Sequence, residues 1–468
     1  MNGKARAAVV AVGIGSFMSS LDSSAVNLAL PMIQNEFAAS LSMVEWIVTT
    51  YLLVISSLLL TFGRLSDLYG HKKMYTVGFA VFTIGSLLCG LSVNIATLIA
   101  SRAFQAVGAG MLYSAGPAII TSAVPPENRG KGLSVVAVAV ALGLCVGPVV
   151  GGTLATLFGW KSIFLINLPV GIIGIFMVLK NIAQDGESKR LPFDILGSVL
   201  VFAALLAILL PLDISGDHAI PPALFIGSIA AGLLLIAAFV LVERKRVHPM
   251  LNLGLFRNRV FSASNLAALL IYMAQFVMVF LAPFYLQKFR GFSVMASGML
   301  YLPMPLATMC VAPLSGAASD RFDSRYISSL GALIMAAGLY MLSFLGANSS
   351  QAYIVAAMVA TGGGFGLFQT PNNSAIMGNV PRENRGTASG TLATMRNIGM
   401  VMGVAVSGAL FSLFEDKAAA AGLPADGAFP YALHNTFLVA AGIALLSMTA
   451  SLFKGRTRPA EAPAPAKE

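Results

Sequence analysis

PPENRG, Pro125 to Gly130, returns 256 residues later as PRENRG, Pro381 to Gly386. A hydrophilic hexapeptide repeated between long apolar runs says that the chain is built from two related halves. The correspondence extends in both directions. Gly130 is followed by Gly143, Gly147 and Gly151, and Gly386 by Gly399, Gly403 and Ser407 at the same offset; upstream, Gly108 and Gly110 match Gly364 and Gly366. Nearer the start the offset becomes 253, where Gly63 and Asp67 match Gly316 and Asp320.

What lies between the repeats sets the class of protein. The 468 residues are 57% hydrophobic and only 10% charged, against roughly 25% charged in an ordinary soluble domain. Apolar stretches of about 18 residues or more recur from end to end, each long enough to cross ~30 Å of hydrocarbon as a helix. The expected fold is an all-α polytopic membrane protein. Its spans are expected near 7–31, 44–62, 74–92, 95–122, 131–156 and 162–180, then 194–212 and 222–242, then 260–287, 294–318, 326–346, 352–378, 386–413 and 433–453. This divides the chain into a six-helix bundle at 1–185, a two-helix insert with its connections at 186–250, a second six-helix bundle at 251–455, and a Pro/Ala-rich tail at 456–468 expected to be disordered. Two parallel repeats of this kind are a signature of secondary transporters, whose site lies near the midplane where the repeats meet.

Charge placement agrees with fourteen spans. With the N-terminus inside, the 29 Lys and Arg residues fall in cytoplasmic loops and tails except for Lys161, Lys288, Arg290 and Lys417 outside, and Arg102 and Arg396 within spans. Both ends are then cytoplasmic, and the basic start MNGKARAAVVAVGIG reads as a retained first helix. The net charge of +10 is scattered over short connections, so no nucleic-acid surface is expected. Cys89, Cys145 and Cys310 lie in apolar spans without metal-ligand spacing and read as packing residues. There is no Walker loop, GxSxG elbow or intramembrane carboxylate pair, so an ATP-driven pump or a membrane enzyme has little support.

The intramembrane polar residues carry the chemistry. LDSSAVNLALP, Leu21 to Pro31, puts Asp22 inside the first span, and SRAFQAVGAG puts Arg102 inside the fourth. A charge at the centre of a spanning helix costs at least ~2.5–3.5 kcal/mol on insertion scales. Both residues belong to the outer half of the membrane, so either they pair or each is satisfied separately. Arg102, Gln105, Ala106 and Ala109 share one helical face. In the second half, Tyr272, Gln275 and Phe276 share a face of the ninth span, and Phe365, Phe368, Gln369 and Asn372 a face of the twelfth. Amides are costly in lipid, so these faces are expected to line an interior cavity, with Met18 and Asn27 of the first span joining them. Gln275 stands opposite Asp22 in the repeat, so only the first half keeps a titratable group there. Arg396 of the thirteenth span either snorkels to the headgroups or faces the cavity.

Two further stretches read as mechanical. GRLSDLYGHKK, Gly63 to Lys73, is expected to be the loop after the second span: a glycine for the turn (Gly63 or Gly70), Asp67 to cap the next helix or pair across the loop, and Lys72 to hold it in the cytoplasm. Asp320 and Arg321 repeat it, so a conformational latch is expected in each half. GLCVGPVVGG is a small-residue ladder, with Gly143, Gly147, Gly151 and Gly152 for close packing and Pro148 for a bend.

Taken together, LDSSAVNLALP, GRLSDLYGHKK, RAFQAVGAG and GPVVGG resemble the major facilitator superfamily, and within it the fourteen-span drug:proton antiporters. WKSIFLINLPVG, Trp160 to Gly171, is similar to that branch's entrance to the sixth span, and the resemblance covers nearly the whole chain. There are departures: Leu68 and His71 stand where the family's loop usually has Arg, and Ser24 where its first span usually has Thr. The resemblance implies the major facilitator fold, two six-helix bundles plus two inserted helices. It also implies alternating access by the two bundles, with proton entry driving efflux of an amphipathic substrate; on the residue reading Asp22 and Arg102 are the expected proton-coupling pair, Asp22 taking the proton and so freeing Arg102, and hydrophobic or cationic small molecules are the expected cargo. The expected energy source is the proton gradient, with no cofactor or metal. The expected partners are protons, a small-molecule substrate and the bilayer, for a monomer in the cytoplasmic membrane. Export of one endogenous amphipathic compound (a lipid, siderophore or metabolite) and a transport-inactive receptor or scaffold are the alternatives.

Overall fold

The computed structural model describes residues 3–125, 129–182, 195–217, 221–245, 253–319, 321–381 and 385–455. The expected tail at 456–468, Asp320 and most of the connections flanking the two-helix insert lie outside the described residues, as does the side chain of Asp67. The described backbone is helical almost throughout, as a spanning chain must be when lipid offers its amides no partner. The first helices are α1 (Gly3–Phe37), α2 (Leu41–Tyr69), α3 (His71–Gly90), α4 (Ile95–Ala123), α5 (Arg129–Phe158), α6 (Lys161–Leu165), α7 (Asn167–Asn181), α8 (Ile195–Asp217) and α9 (Pro222–Lys245). There follow α10 (Arg259–Phe284), α11 (Val294–Tyr301), α12 (Pro303–Ser319), α13 (Ser324–Ser343), α14 (Gln351–Gly378), α15 (Arg385–Ala420) and α16 (Ala425–Phe453).

Each expected span has its helix. Thirteen segments of the described residues are long and apolar enough to cross a membrane; α8, at the seventh expected span, contains the shorter apolar run Val199–Ile208. The sixth span is α6 and α7 in series, the tenth α11 and α12. Prolines explain both breaks: Pro169 has no N–H to give the Leu165 carbonyl, and Pro303 none for Met299, so each ladder is interrupted. Side-chain caps set several starts. Ser40 accepts from the Met43 amide at 3.2 Å, Asn94 and Thr97 form a capping box at the head of α4, and Ser350 accepts from Tyr353 at 3.2 Å.

One expectation fails in its local structure. GRLSDLYGHKK is not a loop: α2 runs on through Gly63 and Asp67 to Tyr69, and Gly70 alone makes the turn, at φ +94°, where only glycine is unstrained. Asp67 lies inside α2, three residues short of that turn, so the capping position of α3 falls to Gly70 and not to it. Gly63 has open space around it and serves no turn. Lys72 donates to the Leu179 carbonyl at 3.0 Å, tying the start of α3 to the end of α7. At the equivalent place in the second half, the Arg321 amide closes a turn on the Ala318 carbonyl at 3.1 Å.

By packing, the chain divides into two compact units, Met1–His248 with Val279–Leu302, and Pro249–Met278 with Pro303–Glu468. The division at 250 read from the sequence puts 279–302 in the second bundle instead. Gln287 donates to the Leu28 carbonyl at 2.7 Å, and Gly152 and Gly298 lie against Val294 and Pro148, so that segment packs on α1 and α5.

In the first unit, the α5 glycine ladder presses on α1. A Cβ at Gly143 would lie 2.7 Å from the Phe17 carbonyl oxygen, at Gly147 2.7 Å from the Ser24 Cβ, and at Gly151 2.7 Å from the Ala25 Cβ. The ladder is a backbone-to-backbone seam of the small-residue kind. Gly147→Val is therefore expected to force α1 and α5 apart, costing about 1–3 kcal/mol or more. A lower thermal midpoint and a smaller monodisperse fraction on size exclusion would register this; an unchanged midpoint would contradict the seam. α8 and α9 pair through Ser228 Oγ and the Ala207 carbonyl at 2.8 Å, and α9 leaves Leu233, Leu234 and Leu241 exposed, as expected of a peripheral element.

In the second unit, Phe261, Ala268, Ile376, Val380, Ala388 and Leu392 make one core cluster, fastening α10, α14 and α15 together. Thr308 and Ser315 of α12 hydrogen-bond to the Gly362 and Gly366 carbonyls at 2.8 and 3.1 Å.

Candidate functional site

Asp22 and Arg102 meet. One guanidinium nitrogen of Arg102 (Nη1) lies 2.7 Å from Asp22 Oδ2, with the side chains 1% and 0% exposed. The local packing that brings them together is built from small residues. A Cβ on Gly85 would sit 2.6 Å from the Gln105 Cα, so α3 closes on α4 there. The next residue, Ser86, then accepts from Gln105 Nε2 at 2.7 Å. On the other side, the Pro169 break makes Asn167 the first residue of α7, and its Nδ2 donates to Asp22 Oδ1 at 2.7 Å.

The carboxylate is held by donors alone. Oδ1 accepts from Asn167 and, at 3.1 Å, from Gln105 Nε2, while Oδ2 takes the guanidinium. The Arg102 charge is satisfied from several directions: Nη1 also donates to Gln105 Oε1 at 2.5 Å, and the guanidinium carbon lies 4.0 Å from the centroid of the Tyr51 ring and 5.7 Å from that of Phe164. The arrangement fits an ionised aspartate, because three donors, one of them a guanidinium, converge on the carboxylate and fill both acceptor sites of Oδ1 and one of Oδ2. In this arrangement the carboxylate is sealed from water.

Sequence reasoning misses three members of this network: Asn167, Ser86 and Tyr51. Asn167 has a signal, since an amide stands in the apolar run just before the Pro169 break of WKSIFLINLPVG. Ser86 and Tyr51 have none, as single small or aromatic polar residues in apolar spans. Gln105, expected in the substrate cavity, is instead fully buried in the network with both polar atoms engaged, leaving nothing for a ligand. Met18 and Asn27 are also buried within the first unit, at 1% and 8% exposure, which gives a cargo no room at Met18.

In the second unit, four of the expected residues converge. Gln369 Nε2 of α14 donates to the Tyr272 hydroxyl of α10 at 2.8 Å. Phe365 packs edge-on to Tyr272 at 5.0 Å between centroids, and the Arg396 guanidinium of α15 lies 4.8 Å from the Tyr272 ring centroid. Arg396 thus leans inward on a buried ring and does not snorkel. Phe276 is half-buried and faces Gly403. Phe368 and Asn372 are at 1% exposure, and Asn372 donates to the Ser264 carbonyl at 3.0 Å, so both belong to the core rather than a cavity wall. Gln275 is buried, with Nε2 3.8 Å from the Met304 sulfur. Among the described residues no cluster of metal-binding side chains occurs.

Comparison with known proteins places this geometry in context. The family model of the Major Facilitator Superfamily matches residues 12–404 and 306–468. The chain is 37% identical over 407 residues to the riboflavin transporter RibZ of Clostridioides difficile strain 630, covering 86% of this chain and 88% of the relative. It is 31% identical to the tetracenomycin C resistance and export protein of Streptomyces glaucescens, over 91% of this chain and 80% of that one. A crystal structure of a bacterial homolog of the human lysosomal transporter Spinster, inward-facing and occupied, superposes with a TM-score of 0.74 at 16% identity, covering 100% of both chains.

Proposed function

The chain belongs to the major facilitator superfamily and is a multi-pass membrane transporter rather than an enzyme, and on that premise we propose that it is a proton-coupled exporter of amphipathic small molecules, working by alternating access in the cytoplasmic membrane with both termini in the cytoplasm. The observation that carries the coupling is the ion pair between Asp22 and Arg102, buried within spans and held by amides from two further positions. A buried ion pair is a poor way to gain stability, since well-packed apolar residues often do as well or better. A scaffold would have no use for it. A coupling site does, because a carboxylate whose solvation and counter-charge both change with conformation takes up a proton in one state and gives it up in another. Protonation neutralises Asp22, releases Arg102 and favours a different arrangement of the helices.

The fourteen spans and motif order support the drug:proton antiporter branch. A second reading, export of one endogenous compound, is favoured by the likeness to a protein named for riboflavin transport. Proteoliposomes carrying an acid-inside pH gradient test the proposal. Adding riboflavin, ethidium or fluorescein outside is expected to speed collapse of the gradient for at least one of them, with uptake of that compound abolished by an uncoupler. Uptake that ignores the gradient would overturn proton coupling.

A further inference from the structure

The second unit holds a cation with no acid beside it among the described residues. Arg396 stands eleven residues beyond Arg385, the first residue of α15, which is about 17 Å along the helix and well inside the span. The nearest acid on its own helix, Glu415, is nineteen residues on, about 28 Å away along the axis. α10, α12, α13 and α14 of this unit contain no Asp or Glu, and α16 has only Asp426, in its first turn. The first unit neutralises its buried arginine with Asp22; this one leaves a guanidinium against an aromatic ring.

The neighbours Tyr272 and Gln369 are uncharged and supply no counter-charge. The Tyr272 oxygen accepts from Gln369 at 2.8 Å and faces the Arg396 guanidinium, so the hydroxyl hydrogen must point to another acceptor, and no such partner occurs among the described residues. Arg396 is half-buried and therefore reachable, while the rings of Tyr272 and Phe365, at 4% and 9% exposure, stand directly behind it. A positive charge, a free hydroxyl hydrogen and two rings fit one kind of ligand. We propose that Arg396 and Tyr272, with Gln369 orienting the tyrosine, form a subsite for an anionic oxygen group, a carboxylate or phosphate, on an aromatic cargo. The planar fork of arginine grips such a group through two parallel hydrogen bonds. The inference rests on the exporter reading for its cargo, and it replaces the sequence-level expectation of cationic cargo at this position, because a guanidinium repels a cation.

The test is binding to the purified full-length protein in nanodiscs, with two matched probe pairs: flavin mononucleotide against riboflavin, and fluorescein against rhodamine 123. The wild type is expected to bind the anionic member of at least one pair more tightly. Arg396→Gln is expected to weaken that anion about tenfold or more, leave the uncharged or cationic partner unchanged, and keep the thermal midpoint. Arg396→Lys is expected to recover part of the loss. No preference for either anion in the wild type, a preference that survives Arg396→Gln, or a midpoint several degrees lower in that variant, marking a structural arginine, would each overturn the subsite. Anion preference without gradient-driven uptake would count against the exporter reading and leave the subsite standing.

Discussion

Asp22→Asn is expected to bring proton-driven transport down to the level of empty liposomes while the protein still folds. The asparagine Oδ1 can keep both amide donors, Gln105 and Asn167, so the network retains its shape on that side. Its Nδ2 then faces the guanidinium, donor against donor, and no group remains to take up a proton. Removing one partner of a buried ion pair costs about 3–5 kcal/mol. The Tyr51 ring at 4.0 Å and Gln105 Oε1 still hold Arg102 and offset part of this. The thermal midpoint, followed through the fluorescence of Trp46 and Trp160, is expected to fall by several degrees. Transport at the wild-type rate would remove Asp22 from coupling.

Removing the other partner has a different cost. Arg102→Met leaves a buried carboxylate, which escapes its desolvation by binding a proton; the arginine left by Asp22→Asn cannot shed one at any working pH. Arg102→Met is therefore expected to lose less stability than Asp22→Asn. The double variant is expected to regain most of what Asp22→Asn lost, with a coupling energy of about 0.5–3 kcal/mol in the cycle. Transport stays absent in all three variants, which separates the role of the pair in coupling from its role in folding. Additive losses in the double variant would mean that the two charges do not act on each other.

The fold was largely legible because a bilayer leaves few choices: span length, the 256-residue repeat and the Lys/Arg asymmetry together determine the number and order of helices. The pairing of Asp22 with Arg102 was legible too, from depth and cost. Rotation about the helix axes was not. α4 and α5 are apolar on nearly every side, so no stripe tells which face meets which neighbour. That is why Gln105 reads as a cavity residue and lies in the ion-pair network, and why Ser86 and Tyr51 give no warning. GRLSDLYGHKK misleads for a related reason: its charges read as a loop, yet Leu65 and Leu68 continue the helical pattern and only Gly70 has the backbone of a turn.

Arg396 illustrates the remaining gap. Sequence places it within a span and leaves its direction open. The ring of Tyr272 and the hydrogen bond from Gln369 decide it, and both depend on how three helices meet.

Asp22 is expected to take up and release the coupled proton. Infrared difference spectroscopy on the reconstituted protein tests it most directly, by following the carboxylic C=O stretch as the pH is lowered through the range in which transport runs. A protonated-carboxyl band that grows with acidification in the wild type and is missing from Asp22→Asn is the predicted result. The same band in both proteins, or none in the wild type while transport proceeds, would contradict it.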